Sequence, residues 1–142
     1  MTSPHAELKT GARTLVEQVV AQHHLASEFA ESAGESYPAV LATPAMVALL
    51  ERACAKLLGP LLKPDQLSVG AVVNISHTAP TALGELVVAE ATFQNKDGHL
   101  YWFDVALRDA HGPIGQGRHA RAIVSETMIN IKAEARRAAV LS

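Results

Sequence analysis

Apolar positions change their spacing along the chain, and each spacing predicts a different element. Between Thr14 and Val20 β-branched and apolar residues dominate, which reads as a first strand, whereas Ser27 to Pro38 shows no regular pattern. From Leu41 to Leu58 the spacing becomes three and four, so that Met46, Leu49, Leu50, Ala53, Cys54 and Leu57 fall on one side of a helix. Thr43 supplies the expected N-cap, Pro44 the first helical position and Gly59-Pro60 the stop. From Gln66 onward the period drops to two. Val69, Ala71, Val73, Ile75 and His77 would then share one face of a strand, and His77 continues an apolar row. A further strand runs from Gly84 to Gln94, turns at Asn95-Lys-Asp-Gly98, and returns as His99 to Asp109 with Tyr101, Phe103, Val105 and Leu107 on one side. After a turn at Ala110 to Pro113, the last strand is Ile114 to Ser125, with Ala120, Ala122 and Val124 opposite His119, Arg121 and Ile123. Met128 to Leu141 has the composition of a short terminal helix, with Lys132, Arg136 and Arg137 on its polar side.

One long helix ahead of an antiparallel meander is an α+β pattern in which the sheet must wrap the helix if both apolar faces are to be buried. That is the hotdog arrangement. Element order alone also permits other α+β sandwiches, and a fold does not by itself give a function. With 142 residues, 49% of them apolar, there is room for one domain with a real core, expected over residues 13–142 behind a flexible arm of residues 1–12. The formal charge of −2 provides no positive field to hold a nucleic-acid backbone or an anionic membrane. No apolar run reaches the length of a membrane span, and the first ten residues lack the apolar centre of a signal peptide. A single cysteine, Cys54, excludes an internal disulfide and a Cys-built zinc site, so a cytoplasmic protein is expected.

Three polar residues stand where chemistry is possible, and each has a plainer explanation beside it. Glu51, inside the helix, reads as a solvated carboxylate near Arg52 and Lys56, or, if it faces an apolar pocket, as a general base or nucleophile. His77 reads as a satisfied strand-end histidine. Its register also aims the ring where the helix packs, where an imidazole can take a proton from water or orient Thr43. Thr43 is explained by capping alone, worth about 1 kcal/mol, or by a hydroxyl that attacks or hydrogen-bonds a carbonyl group beside the helix N-terminus. Other candidates are weaker. His23 and His24 would point to opposite faces of a strand, with no Asp or Cys at ligand spacing, so no metal site is expected. His99, His111 and His119 read as turn or surface residues, and Met46 and Cys54 as core. Arg118 and Arg121, taken to share a strand face, could meet a phosphate, although a solvated face explains them equally well.

Four stretches together resemble the fluoroacetyl-CoA thioesterase-like family of hotdog proteins. They are Val40 to Cys54 with its Ala42-Thr-Pro44 motif, Val69 to Gly84, the turn Asp97-Gly98, and Ile114 to Val124, spanning roughly residues 38 to 124. The resemblance implies hydrolysis of acyl-CoA thioesters without a metal and with no cofactor beyond the CoA on the substrate, using Thr43, Glu51 and His77. It also implies that Gly70 lies near the acyl site and that Arg121 is the arginine of a Gly-x-His-x-Arg pattern, here Gly117-Arg-His-Ala-Arg121. Tyr37, ahead of Pro38, stands where the fluoroacetyl-CoA enzyme carries a Phe that closes over its small acyl group, a departure that bears on specificity. Two other readings stay open: a hotdog module that binds an acyl thioester without turnover, and a hotdog hydratase or dehydratase, which would also use a His and a carboxylate.

Thr43 and Glu51 lie eight positions apart, a separation of ~12 Å along one helix. One chain cannot aim both at one carbon. The spacing therefore predicts a homodimer, or a higher assembly, in which the helix start of one subunit faces Glu51 of the other across a two-fold axis. How Tyr37, Met46, Leu50 and Trp102 pack would set the size of the acyl pocket.

Overall fold

The computed structural model describes residues 7–139. Strand β1 (Arg13–Val19) is followed by two short 3-10 turns, and then by helix α1 (Thr43–Leu58). Strands β2 (Gln66–His77), β3 (Leu86–Asp97), β4 (Leu100–Asp109) and β5 (Gly112–Ser125) follow, and helix α2 (Glu126–Ala138) ends the described chain. The strands form one antiparallel sheet in the order β1-β3-β4-β5-β2, with α1 packed on its inner face. This is the expected α+β hotdog arrangement.

The core forms where the two periodicities meet. From the helix, Met46, Leu49, Leu50, Ala53, Cys54 and Leu58 are buried, so the predicted stripe holds except that Leu58 replaces Leu57 at its end. From the sheet come Val87, Ala89, Ala91 and Phe93 of β3 and Phe103, Val105 and Leu107 of β4, each set alternating as a one-sided sheet requires. Phe93 and Phe103 meet edge to face with centroids 5.7 Å apart.

Two bulges correct the predicted registers. In β2 the pairing with β5 shifts between Gly70 and Val72, so Ala71 is an extra residue and the alternation reverses there. Val73, Ile75 and His77 consequently share the inner face with Gly70 and Ser68; Val69 and Ala71 do not belong to that row. A second shift, between Phe93 and Asn95, keeps Asn95 and Lys96 in the β3–β4 ladder, and the turn tightens to Gly98-His99 with Gly98 at φ 62°. The terminal helix begins at Glu126, capped by Ser125 and tied to the start of β2 by Asp65, which accepts from Ser125 Oγ, Thr127 Oγ1 and Thr127 N; the expected end at Leu141 lies outside the described residues. Residues 1–6 of the expected arm also lie outside them, while Gly11 and Ala12 exchange backbone hydrogen bonds with Phe93.

Strand β2 closes one edge of the sheet. Its stretch Gly70–Asn74 is exposed throughout, Val73 by 45%. No helix among the described residues is long and apolar enough to cross a membrane.

Candidate active site

The N-terminus of α1 and the last residue of β2 converge. Ala42, rather than Thr43, occupies the N-cap, and no side chain caps the helix there. Thr43 is the first helical residue, and its hydroxyl lies 2.8 Å from His77 Nδ1. The capping explanation of Thr43 is thereby overturned: Pro44 favours an extended residue before it in general, yet here the extended backbone is taken up one residue earlier, at Ala42, and the hydroxyl is released to the imidazole. His77 Nε2 is buried and has no hydrogen-bond partner among the described residues. An orphaned buried polar atom is worth about 1–3 kcal/mol of penalty, so this nitrogen is a group waiting for a partner. Beside the pair opens a cavity of about 380 Å³ to which Tyr37, Pro38 and Val40 contribute along with Thr43 and His77. Tyr37 is 47% exposed.

Farther along α1 a second group of residues gathers around Glu51. Its Oε1 lies 3.7 Å from Arg121 Nη1, an ion-pair separation, and 3.8 Å from His119 Nε2, both longer than a hydrogen bond. Gly70 of β2 sits directly under the carboxylate: a Cβ at this position would collide with Glu51 Oε1 and come within 3.3 Å of His119 Cε1. The glycine is needed for close approach, since its φ is not in the left-handed region. Arg121 is buried and donates from Nε to Ser68 Oγ and from Nη2 to Ser68 O, both at 2.9 Å, and from Nη1 to His119 Nε2 at 3.1 Å. Burial pulls its pKa below the ordinary arginine value, opposed by the Glu51 charge. Arg118, three positions away, lies on the outer face, stacked 4.5 Å from the Trp102 ring centroid and 3.9 Å from Asp104. The two arginines therefore do not share a face, because strand alternation separates positions an odd number apart.

His119 was expected at the surface and is instead completely buried. A carbonyl can only accept and a guanidinium can only donate, so its contacts fix its state: Nδ1–H donates to Val72 O at 2.7 Å and Nε2 accepts from Arg121. The ring is neutral. Burial holds its pKa below the ordinary 6.5, with Arg121 acting the same way and the Val72 hydrogen bond and Glu51 opposing. The folded value lies below the unfolded one, so this stabilisation is complete above the unfolded pKa of about 6.5 and is lost as pH falls toward the folded value. His24 is shifted in the same direction, by burial first and then by His23. Urea titrations between pH 7.5 and 5 should accordingly show the wild type losing stability faster than His119→Gln; parallel curves would contradict the assignment.

Cys54 is buried beneath this cluster, and burial pushes its thiol up to about 12, which suits a core residue. His23 and His24 belong to a 3-10 turn, not a strand, with ring centroids 4.0 Å apart. His99 occupies the β3–β4 turn, and His111 lies 3.4 Å from Glu85 beside the β4–β5 turn, as expected.

The sequence and the fold as a whole have relatives among known proteins. The sequence profile of a family described as fluoroacetyl-CoA-specific thioesterase matches residues 9–127. The chain belongs to this thioesterase family. It is 33% identical over 129 residues to the fluoroacetyl-CoA thioesterase of Streptantibioticus cattleyicolor, an alignment covering 88% of this chain and 91% of that one. Among solved structures, a point mutant of the fluoroacetyl-CoA-specific thioesterase FlK superposes with a TM-score of 0.87 at 30% identity, covering 92% of this chain and 98% of the other. A complex of such a mutant with fluoroacetate and CoA gives 0.81 at 32% identity, covering 86% and 99%.

Of the residues expected at the site, Tyr37, Thr43 and His77 come together at one end of α1, and Glu51, Gly70 and Arg121 at another place along it. The structure thus gathers them into two separate groups. His119 and Ser68, which complete the second, were missed. The alternation Gly117, His119, Arg121 was enough to put that histidine on the same strand face as Arg121, but not to show that this face is the buried one.

Proposed function

We propose that the protein hydrolyses acyl-CoA thioesters to free acid and CoA, without a metal, at a site assembled across a homodimer interface from Thr43 and His77 of one protomer and Glu51 of its partner. The observation that carries the proposal is the 2.8 Å contact between the Thr43 hydroxyl and His77 Nδ1, a nucleophile and base at hydrogen-bond reach, with the carboxylate held elsewhere on the same helix. Eight residues separate them, ~12 Å along α1.

Antiparallel pairing of two β2 edges would close that gap. The uncovered stretch of β2, Gly70–Asn74, is an edge that needs a partner. Pairing it with its own copy reverses direction and sets the His77 end of one strand opposite the Gly70 end of the other. Buried His77 Nε2 would gain a partner in the same step.

At the assembled site, Thr43 Oγ attacks the thioester carbon while His77 takes its proton, and the carbonyl oxygen is stabilised at the uncapped N-terminus of α1. The C–S bond breaks, and CoA leaves as a thiolate that needs little acid assistance, thiol pKa values lying near ~8.5. Water then attacks the Thr43 ester while Glu51 of the partner subunit takes its proton, the C–O bond to Thr43 breaks as His77 returns its proton to Oγ, and the acid leaves as the Glu51 proton passes to solvent. CoA enters only as part of the substrate, and the lone cysteine suits a reducing cytoplasm.

Release of free thiol from a panel of acyl-CoAs, measured for the wild type, Glu51→Ala and His77→Ala, tests the reading. The wild type should release thiol from at least one acyl-CoA and both variants should lose that activity; absence of release above background from every acyl-CoA and acyl-carrier thioester would overturn it. Gly70→Ala should lower kcat by roughly 10²-fold at little change in melting temperature, because the new methyl group drives Glu51 from its place. Unchanged kcat in that variant would mean the carboxylate acts from another position.

A further inference from the structure

We propose that His119 is a positioning residue for Glu51, acting through Arg121 and through the bulge in β2. The proposal rests on the reading of Glu51 given above and adds what holds that carboxylate in place. The Glu51 side chain makes no hydrogen bond among the described residues; its position is set by the Gly70 backbone beneath it and by the Arg121 guanidinium 3.7 Å away. Ser68 anchors two nitrogens of that guanidinium, Nε and Nη2. The third, Nη1, is the one nearest Glu51, and its orientation is fixed by the Nε2 lone pair of His119 at 3.1 Å.

The other end of the ring reaches the β2 backbone just beyond Gly70. Nδ1–H donates to the carbonyl of Val72, the first residue to pair again after the extra residue Ala71. Gly70, opposite Arg121 and beneath the carboxylate, is the last residue paired before that bulge. One buried ring therefore ties the bulge of β2 to the guanidinium on β5, and both to the place of Glu51. Only a neutral imidazole with its proton on Nδ1 can do both jobs, since Nε2 must accept from an arginine. The ring is wholly buried and does not reach substrate itself.

His119→Ala should lower kcat by about 10- to 100-fold with KM nearly unchanged, the scale expected when a reacting group is displaced by a fraction of an ångström. His119→Gln, whose amide oxygen can take over acceptance from Arg121, should recover most of that loss. In a Glu51→Ala background, adding His119→Ala should change the residual rate by less than about twofold, since the two substitutions act on one element. Equal losses in both backgrounds, or a glutamine variant no better than alanine, would overturn the proposal. A separate readout is independent of catalysis: ¹⁵N imidazole shifts of the wild type near neutral pH should report His119 in the neutral Nδ1–H form. An Nε2–H tautomer or a charged ring would overturn the clamp. If Glu51→Ala retains full activity, the carboxylate reading fails alone and the imidazole spectrum still decides the clamp.

Discussion

Glu51→Gln is expected to lower kcat by about 10² to 10⁴-fold, the usual contribution of a positioned general base. Glutamine keeps the volume and the contact with Gly70 but cannot take a proton from water, so the acyl group should be left on Thr43 once the first step has run. A burst of thiol followed by a slow steady state, with acylated Thr43 detected by mass spectrometry, is the expected signature. The Arg121 guanidinium loses its counter-charge in this variant, yet it keeps its hydrogen bonds to Ser68 and His119. Folding should therefore survive. A rate within a few-fold of wild type would remove Glu51 from the chemistry.

The second large effect is expected at the Thr43–His77 pair. His77→Ala should lower kcat by a similar factor of about 10² to 10⁴, because the Thr43 hydroxyl loses the only base within hydrogen-bond reach among the described residues. No burst should precede its slow phase, since acylation itself is impaired. Thr43→Ala should cost about as much, and the double variant little more than either single one, as residues acting as a unit are strongly non-additive. Independent, multiplicative losses from Thr43→Ala and His77→Ala would show that the 2.8 Å contact is not a catalytic pair.

How far the molecule can be read without coordinates depends on the range of the signal. The helix stripe from Met46 to Cys54 and the alternation of Phe103, Val105 and Leu107 are local, periodic and set by burial, so they appear in the structure nearly unchanged. The bulge at Ala71 is different. Nothing in the run Val69 to His77 marks an extra residue, and what places it is the partner strand, from which Arg121 donates to the Ser68 hydroxyl and carbonyl and His119 to the Val72 carbonyl. Thr43 illustrates the same point in reverse. Before Pro44 it is a well-formed cap by local rules, and only the arrival of His77 from 34 residues away draws the hydroxyl aside. His119 lay within reach of strand alternation, but an isolated histidine near a turn gives no sign of burial until the strand's inner face is known. The separation of Thr43 from Glu51 was legible from helix rise alone, and it is on this separation that the proposal bases its demand for a second chain.

Mixing a Thr43→Ala chain with a Glu51→Ala chain tests that demand directly. With two-fold symmetric exchange, half of the dimers are mixed and each carries one fully intact site, so activity should return to roughly a quarter of wild type from two inactive parents. A mixture that exchanges subunits and stays at the parental background would place Thr43, His77 and Glu51 in sites belonging to single chains, and would contradict the account.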